Sequence, residues 1–134
     1  TDADRQDVSR KQAKGRFGMA KGVTLTWAGG EHDFALPIEL LRALQDKCDA
    51  GPAWILARLG SQQWHVDDIV STIRLGLEGG GMPKEEARKL TARHVEDKPL
   101  TLSVMTARTI LMAALYGGED EEPDAGEATA AAAV

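Results

Sequence analysis

The apolar residues change their spacing at Pro37. From Val23 to Leu36, in GVTLTWAGGEHDFAL, they fall on alternate positions, and from Ile38 to Leu115 they recur every third or fourth residue. Alternate spacing lines one face of a strand and the longer spacing one face of a helix, so the pattern predicts a β-hairpin followed by helices. Gly29 and Gly30 accept positive φ without steric penalty, which sets the turn between strands expected at 23–28 and 31–36. A lone hairpin is marginal in water, so its apolar face, Val23, Leu25, Trp27, Phe34 and Leu36, has to lie on helices or on another chain. The edge that carries Val23 and Trp27 is one that a neighbour's sheet can extend.

Proline and glycine punctuate the rest. Pro37 and Pro52 suit first helical turns, so IELLRALQDKCDAG, with Ile38, Leu41, Leu44, Gln45 and Cys48 on one stripe, reads as a helix closed by Gly51, and PAWILARLG as a second closed by Gly60. A third, Asp67 to Glu78, carries Val66, Ile69, Val70, Ile73 and Leu77 in register, with two acids at the positive end of its dipole. The fourth runs from Pro83 to Glu96 with Ala87, Leu90 and His94 inward. The last, 100–116, follows Pro99 and is apolar over most of its circumference, which makes it either the centre of the bundle or a surface bound to a partner. The fold class is therefore mainly α: an N-terminal β-hairpin followed by a bundle of about five short helices, with disordered termini.

Those termini are set apart by composition. Residues 1–22 hold only Val8, Phe17 and Met19 as large apolar side chains and carry six Lys/Arg against three Asp; residues 118–134 carry six acids and no base. Neither stretch buries enough apolar surface to offset the cost of ordering it, so the expected organisation is a flexible basic leader over 1–22, a folded domain over 23–117 and a disordered acidic, Ala-rich tail over 118–134. Met19 is an expected natural start. The domain itself is mildly acidic, ten bases against twelve acids, which argues against specific nucleic-acid binding. No apolar run approaches the ~18 residues of a membrane span, so a soluble chain with no membrane partner is expected.

No set of residues converges on catalysis. Gly79, Gly80 and Gly81 follow a helix and precede Met82-Pro83 without a Gly-Lys-Ser/Thr run, so they read as a hinge between two helices rather than a phosphate loop. His65 stands near Asp67 and Asp68, but no second histidine lies at helical spacing and capping accounts for the acids, so no metal site is expected. Cys48, the sole cysteine, sits on an apolar stripe and reads as a small core residue; His32 and His94 show no partner. The expectation is no catalytic residue, no cofactor and no enzyme. Partner binding instead falls to exposed anchors: Trp54 and Trp64 at helix ends, and Leu102, Met105 and Met112 on the over-apolar last helix.

Taken in order, GVTLTWAGGEHDFALPIELLRALQDKC (22–48), DIVSTIRLGLEGGGMPKEEARKLTARHV (68–95) and ILMAALYGG (110–118) present a strand pair, L..LQ, I..TIR.GL.GGG, EA..L and a final IL.AAL.G. This order, over about residues 19–117, resembles the gene transfer agent family protein of alphaproteobacteria, a phage-like tail component classed with tail tube proteins and tail assembly chaperones. The resemblance implies a role in tail morphogenesis, in the bacterial cytoplasm during particle assembly or in the virion-like particle itself. Its implied partners are the tape measure protein, other tail proteins or further copies of the chain. A small helical domain with one hairpin favours the chaperone over the tube. A structural tail tube component is the first alternative, and a small regulatory or nucleic-acid-binding protein acting through its basic leader the second.

Overall fold

The computed structural model describes residues 22–117. The flexible leader, apart from Gly22, and the acidic tail expected from composition lie outside the described residues.

Strands β1 (Gly22–Trp27) and β2 (Gly30–Ala35) pair antiparallel, from Gly22 opposite Ala35 to Trp27 opposite Gly30. The turn is Ala28–Gly29, with φ of 53° and 84°, and not the expected Gly29–Gly30; both strands begin and end one residue earlier than the glycine pair suggests. Ala28 thus takes a left-handed conformation, which costs roughly 1–2 kcal/mol for a residue with a Cβ. The register decides which backbone groups face out. Residues flanking a two-residue loop exchange hydrogen bonds and the pattern then alternates, so residues 31, 33 and 35 of β2 turn their carbonyls away from β1. Two of those carbonyls, on Asp33 and Ala35, meet a helix end described below. A turn at Gly29–Gly30 turns out residues 32, 34 and 36 instead, so packing selects the register that local turn chemistry disfavours.

Five α-helices follow: α1 (Ile38–Cys48), α2 (Pro52–Gly60), α3 (Val66–Gly79), α4 (Lys84–Thr91) and α5 (Val104–Tyr116). α1 buries Leu41, Leu44 and Cys48, while Ile38 and Gln45 of the expected stripe stay exposed. It is closed by Asp49 in the left-handed region, at φ 52°, and Gly51 serves as the cap of α2. α4 widens into a π-helical turn over Ala92–Glu96, and a 3₁₀ turn over Leu100–Ser103 leads into α5, so each of the last two expected helices is in fact an α-helix joined to a shorter turn. The π turn sends Val95 fully inward and brings His94 to 5.6 Å from the Trp27 ring. His32 stacks edge-on against the same indole at 5.4 Å and Phe34 at 5.7 Å, so both histidines that lacked a partner in the sequence share Trp27.

The centre of the bundle is α3 and not the last helix. Residues Asp68–Ile73 and Leu75–Leu77 are all buried, and α3 touches β2, α1, α4 and α5. α5 buries Ala107, Ile110, Leu111, Ala113 and Ala114 but leaves Met105, Met112 and Tyr116 in solvent. The last helix is therefore not the centre of the bundle, and one apolar face of it stays in solvent.

Candidate functional site

α2 ends at Gly60, where Ser61 caps the carbonyl of Ala57 and Gln62, at φ 63°, turns the chain toward α3. The loop is held from below. Arg58 Nε donates to Asp68 Oδ2 at 2.9 Å and Arg58 Nη2 to Asp68 Oδ1 at 2.6 Å, a two-pronged pair in which the Asp68 carboxylate is fully buried. The backbone N–H of His65 donates to Asp68 Oδ2 at 2.8 Å, completing a capping box at the start of α3. Arg58 Nη2 also reaches the Cys48 carbonyl at 3.5 Å, so one guanidinium joins the end of α1, the end of α2 and the start of α3. Its hydrogen bond to Asp68 raises the guanidinium's pKa still further and keeps it charged despite burial. The sequence showed Asp68 as a helix-start acid, which it is; its second role as a buried counter-ion needed the fold.

Beside the end of α2 lies a groove of about 290 Å³, walled by Leu59 and Gln62 on one side, Val104, Met105 and Arg108 of α5 on the other, and Trp64 from the loop. Trp64 is half-buried and Met105 is 63% exposed, so the groove brings together two of the five expected partner-binding residues. Met112 follows Met105 by two helical turns on the same face of α5, and the stripe continues to Tyr116. Leu102, 69% exposed, sits on the preceding 3₁₀ turn outside the groove, and Trp54, 62% exposed, lies in the first turn of α2, at the end away from Gly60. Arg108 was missed, although it had a signal: it is the sole charged residue of α5, three positions beyond Met105 and four before Met112.

Gly79, Gly80 and Gly81 separate α3 from α4. A Cβ on Gly79 falls 1.8 Å from the Ala35 carbonyl oxygen, and one on Gly80 falls 1.9 Å from that of Asp33. The end of α3 therefore lies backbone against backbone on the outer edge of β2, and covers it. Gly81, at φ 115°, is the one member of the three that needs the conformational freedom of glycine.

His65, Asp67 and Asp68 are committed to the helix start, and among the described residues no three His, Cys, Asp or Glu side chains gather as metal ligands do. Cys48 is buried, and its Sγ–H donates to the Asp67 carbonyl at 3.4 Å. Desolvation, followed by the nearby Asp68 charge, pushes the thiol's pKa up to about 12. Thiol reagents at pH 8 are therefore expected to label the folded chain on the order of 100-fold more slowly than the unfolded chain. The folded state keeps a proton that the unfolded state releases, so stability is intact below the unfolded thiol's pKa and falls as pH climbs toward about 12. Urea midpoints measured from pH 8 to 11 should drop further in the native chain than in Cys48→Ala.

The described residues thus define a small helical domain that presents an apolar groove with one cation. Over residues 20–117, which take in every described residue, the chain matches the family described as Phage tail tube protein, GTA-gp10, and it belongs to that family. It is a phage-like tail protein of the gene transfer agent type. No curated protein and no solved structure matches it. No helix among the described residues is long and apolar enough to cross a membrane.

Proposed function

We propose that this tail protein acts as an assembly chaperone in the bacterial cytoplasm, holding a helical segment of the tape measure protein until tube subunits replace it. The observation that carries this reading is the outward stripe of α5, Met105, Arg108 and Met112, continuous with the groove beside Trp64. Two apolar anchors seven residues apart, about 10 Å along a helix, with a cation between them match an amphipathic helix whose apolar face carries an acid. Arg108 makes no ion pair among the described residues and lines the groove.

The family's description names the tail tube, and a structural tube component is the second reading. Against it stands the sheet. A ring wall built by adding strands needs two open edges per subunit, and the outer edge of β2 is covered by Gly79 and Gly80.

Co-expression with the tape measure protein is expected to yield a soluble complex, with the chain absent from finished particles. Met105→Glu together with Met112→Glu should weaken that complex at least about tenfold at unchanged thermal stability, since both side chains are solvent-exposed. Stoichiometric chain in purified particles, with no complex, would make it a tube component.

A further inference from the structure

The two edges of the hairpin differ. β2 is closed by the end of α3, whereas no backbone group of β1 bonds to anything but β2 among the described residues. By the alternation that follows from the Ala28–Gly29 loop, Gly22, Thr24 and Thr26 turn their N–H and C=O groups out along that open edge. Soluble proteins usually blunt such an edge with a lysine, a proline, an inward charge or a bulge. β1, GVTLTW, has none of these: it is uncharged, and its register with β2 runs unbroken over all six residues.

We propose that β1 is a self-association edge, on which a second copy of this chain pairs antiparallel through its own β1 to make a four-stranded sheet. Charge favours this occupant. Two-fold pairing centred on Thr24 or on Leu25 sets threonine opposite threonine and brings no like charges together, on a chain whose net charge is −5. On the other face it sets Val23 opposite Leu25 in the first register, and Leu25 opposite Leu25 with Val23 opposite Trp27 in the second, and covers Leu25, which is partly exposed in the single chain. Because β2 is closed, the association stops at two copies. The pairing is isologous, so it caps growth instead of propagating it. One strand edge of six residues, about 20 Å long, is a small interface, so the dimer is expected to depend on concentration. This inference stands apart from the groove on α5 and does not need the tape measure protein.

The test is the mass of the full chain in solution, by light scattering or sedimentation from about 5 to 500 μM, for the native chain and for Thr24→Lys with Thr26→Lys. Within one chain these lysines stand opposite Asp33 and Glu31, so folding is retained; across the dimer a pairing centred on Leu25 sets positions 24 and 26 against each other, lysine on lysine, and one centred on Thr24 sets the lysine at position 24 against its own copy. The native chain should pass from monomer to dimer, and the variant should shift the midpoint at least about tenfold upward. Amide exchange of the native chain gives a second reading that needs no variant: protection at Thr24 and Thr26 should rise about tenfold or more between the ends of that range, with Val23 and Leu25 little changed. A chain that stays monomeric throughout, or a dimer indifferent to the lysines and to exchange at Thr24 and Thr26, overturns the proposal. So does a chain that dimerises through β1 only after residues 1–21 are removed, since the leader then occupies the edge.

Discussion

Gly79→Ala and Gly80→Ala, made singly, are expected to cost about 3 kcal/mol or more each, enough to leave much of the chain unfolded at 37 °C. Alanine is otherwise the better helix former, by roughly 1 kcal/mol, and Gly79 is helical, so propensity alone predicts a gain. The overlap decides the sign. At 1.8 Å and 1.9 Å from backbone carbonyl oxygens the added methyls meet atoms that no side-chain rotation can move, and α3 must lift off β2. That separation would also loosen Phe34 and Ile110, which close around Gly76 one turn earlier. Gly30→Ala is the matched control: its Cβ meets nothing within 4 Å, and alanine is the more favourable residue in a strand, so stability should hold or rise slightly. Urea unfolding of the three variants measures all of this. Gly79 and Gly80 variants as stable as the native chain would mean that α3 and β2 are not in backbone contact.

Asp68→Asn should cost about 3–5 kcal/mol although it changes a single atom. The carboxylate is fully buried and accepts two bonds from Arg58 and one from the His65 N–H, so the amide leaves a guanidinium in the interior without its counter-charge and faces it with an NH₂ or a single oxygen. Asp68→Ala should be no better, since it also removes the capping box of α3. Replacing both partners, Arg58→Met with Asp68→Leu, should recover more than half of the loss, because the cost lies in the orphaned charge rather than in a missing attraction. A double-mutant cycle in urea reads this directly. Asp67→Asn, one position away but exposed, should shift stability by less than about 1 kcal/mol.

These two sites also show where sequence reading stops. Asp67 and Asp68 look alike as acids in a first turn, and nothing local tells which one turns inward to Arg58, ten residues back across a loop. The three glycines look alike as a linker, yet Gly79 and Gly80 answer to carbonyls more than forty residues earlier in the chain and only Gly81 answers to its own φ. Of the residues chosen as exposed anchors, Trp64 and Met105 share a groove because α2 and α5 pack side by side, a pairing that no periodicity contains.

What the sequence determined by itself was the order and type of the elements, because the change of apolar spacing at Pro37 and the Pro and Gly stops act within one or two turns of where they stand. The family follows from that same order. Only the tertiary structure decided which helix is central, which carbonyls the hairpin turns outward, which acid is buried and which apolar face stays in water. Each of these depends on contacts between residues distant in the chain, where shape and burial override local preference: a left-handed alanine in the turn is accepted so that two carbonyls can rest against two glycines.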